Sequence, residues 1–213
     1  METGSVPRLF LVTPPRLDPE SFVTDLAAAL AGGDVAAVLI AVETGERDLE
    51  AVAKALVPAI QAAGAAALVE NSTRIAGHAK ADGVHIGTTH DDLRLAVDSF
   101  RPDRIVGAGS LTTRHAAMEA GELGVDYVFF GRPKGDTHPH PHPQALDLAE
   151  WWADLMSVPA VVMAGHDIES IAEAAATGAS FVAANRAVWE HPEGPGAAVA
   201  RASALLRNVE PSG

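Results

Sequence analysis

The sequence predicts a compact α/β fold, a single-domain (β/α)8 TIM barrel, and three observations carry that prediction. Short apolar runs of Val, Ile, Leu and Ala recur along the whole length. Most run without polar alternation, as strands buried on both faces do. Segments with helical spacing separate them, so strand and helix alternate throughout. Eight such units in 213 residues fit a barrel near the lower size limit of that fold. An open doubly wound sheet is the other arrangement that alternation allows. No glycine-rich dinucleotide loop follows the first run, where Thr13-Pro14-Pro15-Arg16 stands, and this favours the barrel.

The elements follow in order. The first strand is expected at 9–13, and a helix at 19–31 follows, with Asp18 as N-cap and Pro19 at the first helical position. The second strand covers 35–42 and the second helix 47–62, with Gly64 just beyond as a C-terminal glycine. Residues 65–69 form the third strand, and 72–80 hold a helix of about two turns. The fourth strand, 83–86, leads to a helix at 91–99, and the fifth, 104–107, to one at 113–123. The sixth strand, 127–130, is followed by a long tip and a helix at 144–156. Strand seven, 160–163, precedes a helix at 168–177, and strand eight, 181–184, precedes one at 197–206. No internal repeat or linker interrupts the series, so residues 1–213 read as one domain.

Composition narrows the function. Hydrophobic residues make up 48% and aromatics only 5%, so the core must be mostly small and branched aliphatics. A net charge of −13 argues against nucleic acid and anionic membranes, both of which reward Lys and Arg. The absence of Cys excludes disulfides, thiolate metal sites and a Cys nucleophile. No apolar run approaches the roughly 18–20 residues of a membrane span. The N-terminus lacks the regions of a secretory signal. The expectation is a soluble, cytoplasmic, single-domain protein.

In a barrel, chemistry sits at the C-terminal strand ends. Those tips are 13–16, 42–46, 70–73, 87–90, 108–112, 131–142, 164–167 and 185–189. Glu43 and Glu70 are carboxylates on adjacent tips, a pattern that suits acid–base work or a cation. His138-Pro139-His140-Pro141-His142-Pro143 is held near polyproline II, which points successive histidines in different directions and reads as a stiff loop. Trp151 and Trp152 suit helix–barrel packing or a contact between copies, which leaves a homo-oligomer open.

Several strand motifs resemble one family. They are Leu9-Phe-Leu-Val-Thr13, Ala81-Asp-Gly-Val-His-Ile-Gly87, Ile105-Val-Gly-Ala-Gly-Ser110, Val125-Asp-Tyr-Val-Phe-Phe-Gly131, Val158-Pro-Ala-Val-Val-Met-Ala-Gly165 and Gly178-Ala-Ser-Phe-Val-Ala-Ala184. In order and spacing they resemble thiamine phosphate synthases and the related thiazole tautomerases over residues 8–190. The resemblance implies thiamine biosynthesis: a pyrimidine pyrophosphate is joined to a thiazole phosphate, with Mg²⁺ assisting release of pyrophosphate. The partner it implies is a small phosphorylated molecule of the thiazole phosphate or thiamine phosphate type.

The resemblance also places the family's working residues, and several differ here. The two metal carboxylates correspond to Asn71 and His90, so no metal ligand is assigned, although Asp91 and Asp92 lie one and two residues on. A Gln-Leu-Arg-Glu-Lys run corresponds to Leu39-Ile-Ala-Val-Glu43. A Thr-x-Thr-Lys loop corresponds to Gly131-Arg-Pro-Lys-Gly-Asp-Thr-His138, in which Arg132 and Lys134 keep positive charge. Ser110 is retained, while the tautomerase histidine corresponds to Thr112. Phosphate binding falls to Gly165, Asn185 and Arg186, since strands seven and eight of such barrels present N–H groups to phosphate. The catalytic candidates are Ser110, Lys134 and Glu70, and Glu43, Asn71, His90 and His166 line the pocket. The departures predict a synthase-like protein whose Mg²⁺ and pyrophosphate site is largely replaced. The alternative is a non-catalytic phosphate-ligand-binding or regulatory protein on the same barrel.

Overall fold

The computed structural model describes residues 6–209. Eight parallel strands alternate with helices in the order β1 (Arg8–Val12), α1 (Pro19–Ala31), β2 (Val35–Ile40), α2 (Glu46–Ala62), β3 (Ala66–Glu70), α3 (Thr73–Ala79), β4 (Gly83–Ile86) and α4 (His90–Phe100). The second half runs β5 (Ile105–Ala108), α5 (Arg114–Glu122), β6 (Tyr127–Phe130), α6 (Pro143–Leu155), β7 (Ala160–Met163), α7 (Ser170–Ala175), β8 (Phe181–Ala184), α8 (Arg186–Trp189) and α9 (Pro195–Arg207). The strands pair in chain order and β8 pairs with β1, which closes the ring. Closure removes the open doubly wound alternative.

Local chemistry sets the element ends. The Asp18 carboxylate accepts from the Ser21 N–H at 3.0 Å and Pro19 opens α1, as the sequence predicts. Thr89 and Asp92 form a reciprocal capping box at the start of α4. The one element the pattern does not predict is α8, whose four residues are too few to show a period.

Alternate strand residues face two different cores. The outward set packs against the helices, where Phe130 meets Trp152 with ring centroids 6.0 Å apart. The inward set fills the ring with Phe10, Leu39, Leu68, Tyr127, Phe129 and Met163. Large rings on β1 and β6 require small partners opposite. A Cβ added to Gly107 on β5 would fall 1.9 Å from Tyr127 Cζ, so that position admits only glycine while the tyrosine is there.

Two acidic residues in the resemblance motifs stand at the opposite end from the expected site. Asp82 accepts from the Ala67 N–H at 2.7 Å, and Asp126 accepts from the Val106 N–H at 2.8 Å. Both sit just before a strand and bind the preceding strand of the ring. Conserving barrel register, not chemistry, is what such N-terminal-face carboxylates do.

Candidate active site

The C-terminal mouth is crossed by an ion pair. Glu70 ends β3, and Lys134, on the loop between β6 and α6, reaches it with Nζ 2.8 Å from Oε2. Their side chains are only 15% and 26% exposed, respectively. Beneath them, inside the ring, His85 of β4 shares a 2.9 Å hydrogen bond between Nδ1 and the Tyr127 hydroxyl. Burial, with a smaller contribution from the Lys134 charge, lowers the His85 pKa to about 3. Burial, with Glu70 nearby, raises that of Tyr127. Both rings are therefore neutral at neutral pH. Lys134→Met strips the cation from a largely buried carboxylate. It is expected to cost about 1–3 kcal/mol of stability in denaturant unfolding, with Glu70→Gln in the same background restoring most of it.

The tips of β3, β4 and β5 form a second group. Asn71 (φ 55°) and Ser110 (φ 57°) both lie in the left-handed region, an uncommon choice for side-chain-bearing residues that concentrates at functional tips. Both clasp Gly87, one through the peptide group before it and the other through the one after. Asn71 Oδ1 accepts from the Gly87 N–H at 2.7 Å, and Ser110 Oγ donates to the Gly87 carbonyl at 2.7 Å. His90 is the first residue of α4 and lines a cavity of about 190 Å³ together with Ser110, Thr89 and Glu119. Asp92 is held by Thr89, and Asp91 is an exposed partner of Arg94. Among the described residues, no three His, Cys, Asp or Glu side chains are grouped to hold a metal ion.

Glu43 stands apart from Glu70. It lines a cavity of about 400 Å³ between the β1 and β2 tips, with Arg16, Asp18 and Asp48. A separate cavity, also about 400 Å³, opens beside the β6–α6 loop. Its walls include Thr112, Arg132, Lys134, His138, His142 and Gln144, with no Asp or Glu. Its positive groups are Arg132 and Lys134, the latter already paired with Glu70.

The third group is at the β7 and β8 tips. Asn185 is 1% exposed, and its amide donates to the carbonyls of Thr13 and Pro133, both at 3.3 Å. The Arg186 backbone N–H donates to the carboxylate of Asp136 at 2.6 Å. The Arg186 guanidinium turns away and pairs with Glu190, one turn along the chain, at 2.9 Å. Gly165 donates its N–H to Ser170 Oγ at 2.9 Å. The exposed His166 donates its own N–H to the His138 carbonyl at 2.9 Å. The His-Pro segment thus lies across the β7 tip with Pro141 buried, while its histidine side chains stay exposed.

The mouth therefore brings Glu70 with Lys134, Asn71 with Ser110 through Gly87, and Ser110 with His90. Gly165, His166, Asn185 and Arg186 share the β7–β8 side, and Glu43 joins none of them. Three residues at the mouth were not among the sequence candidates: His85, which stands inside a strand motif, Tyr127 and Asp136. Tyr127 resembles any apolar strand residue, and Asp136 lies in a loop with no pattern of its own. The only available signal was that Asp136 is the single carboxylate in 131–142.

Fold and mouth define a (β/α)8-barrel protein whose polar side chains converge at the C-terminal ends of the strands. The pattern of thiamine monophosphate synthases matches residues 9–188, and the chain belongs to that family. The thiamine-phosphate synthase of Rhodospirillum centenum is 39% identical over 204 residues, which cover 94% of this chain and 98% of that protein. That of Hyphomonas neptunium is 35% identical over 209 residues, 95% of each chain. Among solved structures, thiamine phosphate pyrophosphorylase from Pyrococcus furiosus shares the fold, with a TM-score of 0.79 at 24% identity over 96% of this chain and 97% of its own. No helix among the described residues is long and apolar enough to cross a membrane.

Proposed function

We propose that the chain is a thiamine phosphate synthase-like protein of thiamine biosynthesis, acting in the cytoplasm on a thiazole phosphate. In this reading the family's Mg²⁺ and pyrophosphate equipment is replaced. The observation that carries the ligand class is the Arg186 N–H, which already holds an anion, the Asp136 carboxylate, at 2.6 Å. Gly165, Asn185 and Arg186 frame the phosphate there, at the tips where such barrels bind it. Ser110 and Lys134 face the second substrate, and the hollow lined by Arg132, Lys134, His138 and His142 suits a leaving pyrophosphate.

The replaced metal site is supported by the donor chemistry. Mg²⁺ favours several hard, charged oxygens, but Asn71 is neutral and its Oδ1 is already engaged by Gly87. His90 offers imidazole, a poor Mg²⁺ ligand. Neutralising the leaving group then falls to Arg132 and to Lys134 once it leaves Glu70.

Calorimetry with thiazole phosphate and the dephosphorylated thiazole tests the ligand class. The phosphorylated compound is expected to bind at least about tenfold more tightly, as charge-assisted hydrogen bonds require. Equal affinities would refute the phosphate reading. A coupling assay with the pyrimidine pyrophosphate tests the metal reading, with turnover expected to persist in chelator. Turnover that rises and saturates with Mg²⁺ would show a working metal site. Binding of thiazole phosphate with no turnover would favour the second reading, a non-catalytic or regulatory protein. The engagement of Lys134 by Glu70 is the observation on that side.

A further inference from the structure

The loop between β6 and α6 packs against the tips of β7 and β8. Its Asp136 is 4% exposed, yet it carries a carboxylate. That group lies against the Arg186 N–H, with Oδ2 2.6 Å from the nitrogen. The same loop takes three more donors from the β7 and β8 side. The Asn185 amide donates to the Pro133 carbonyl at 3.3 Å, the His166 N–H to that of His138 at 2.9 Å, and the Asp167 N–H to that of Pro139 at 3.3 Å. Contact is close enough that a Cβ on Gly165 would lie 2.1 Å from the Pro139 oxygen.

We infer that Asp136 is an internal competitor for phosphorylated ligands: its carboxylate holds the Arg186 N–H that a phosphate oxygen needs, and ligand binding displaces it together with the loop. This rests on the reading of Gly165, Asn185 and Arg186 as the phosphate site. One N–H cannot serve both anions, and a phosphate placed beside a buried carboxylate meets like charge with little water between. The other charged groups facing Asp136 are the Arg186 guanidinium and Glu190, which already neutralise each other. Among the described residues, that pair leaves no net positive charge against Asp136 to offset two anions together. The ligand's affinity is reduced by the fraction of molecules in which the loop is displaced. Asp136 thus sets affinity without touching the bound ligand.

Asp136→Asn keeps the shape and one acceptor oxygen while removing the charge, so it weakens the latch. Calorimetry with thiazole phosphate and with inorganic phosphate is expected to show binding on the order of tenfold tighter in the variant than in the wild type. Hydrogen exchange on the wild type provides a second reading that needs no substitution. Saturating thiazole phosphate should speed exchange in 131–142, and the Arg186 amide resonance should move with phosphate addition. Equal or weaker binding by Asp136→Asn would overturn the competitor role while leaving the phosphate site in place. Unchanged loop exchange under saturating ligand would do the same, and it decides the matter if the variant does not fold. No phosphate binding by either protein, with the Arg186 resonance unmoved, would remove the site reading and the competitor with it.

Discussion

Trp152→Ala is expected to destabilise the protein by about 3–5 kcal/mol, the range for removing a fully buried large aromatic. Trp152 is 1% exposed on the barrel-facing side of α6. Its ring packs edge-on against Phe130 of β6 and closes over Gly121, where an added Cβ would lie 3.0 Å from Cη2. Its Nε1 also donates to the Val158 carbonyl at 2.7 Å, at the start of the turn into β7. Truncation therefore leaves both a void and an orphaned carbonyl. For a chain of this size the melting temperature should fall by roughly 6–20 °C. Binding of thiazole phosphate should be unchanged below the transition, because Trp152 faces away from the mouth. A loss under about 1 kcal/mol, or a selective loss of ligand binding, would mean the tryptophan is not a packing residue.

The second large effect is on the pH dependence of stability. An unfolded chain protonates its histidines near pH 6.5, whereas His85 in the folded ring stays neutral down to about 3. Between those values the unfolded state binds the extra proton, so stability falls as pH falls. His85 should make this contribution at up to about 1.4 kcal/mol per pH unit, fully present above pH 6.5 and lost through the window below it. Carboxylates titrate in part of the same range, so the informative quantity is the difference from His85→Gln. Urea unfolding at intervals between about pH 7 and 4 should give a steeper wild-type profile, with the two curves converging as the pH drops. Parallel profiles would show that His85 is not held neutral.

Much of the architecture is legible in the sequence because burial on both faces leaves a plain signature. Phe181–Ala184 and Ala160–Met163 are uninterrupted apolar runs, and their bounds agree with the observed strands. The Asp18-Pro19 start of α1 is equally local, since cap and first turn lie within four residues. The mouth is less legible because its contacts are long-range. Lys134 and Glu70 are 64 residues apart, and Asp136 and Arg186 are 50 apart. Only closure of the ring brings either pair together. Arg186 illustrates a different limit. The sequence marks a cation at a tip, but the guanidinium takes the nearer Glu190 on its own helix, and the group turned to the mouth is the backbone N–H. No reading of side-chain type would have picked that atom. Glu43 likewise stands on the strand tip next to Glu70 in the ring, yet it lines the cavity between the β1 and β2 tips, whose walls do not include Glu70.

The seam between β1 and β8 has a consequence for how the chain is made. Val12 accepts from Trp189 Nε1 at 2.6 Å, Thr13 accepts from Asn185, and the Arg8 N–H donates to Ser180. The barrel's first strand therefore waits for its last. Until about residue 190 has emerged, β1 has one side unpaired, and an unpaired apolar edge invites pairing with other chains. Translation pauses late in the message would lengthen that exposure far more than pauses early in it. The vulnerable interval is set by the seam of the ring and ends only when β8 arrives.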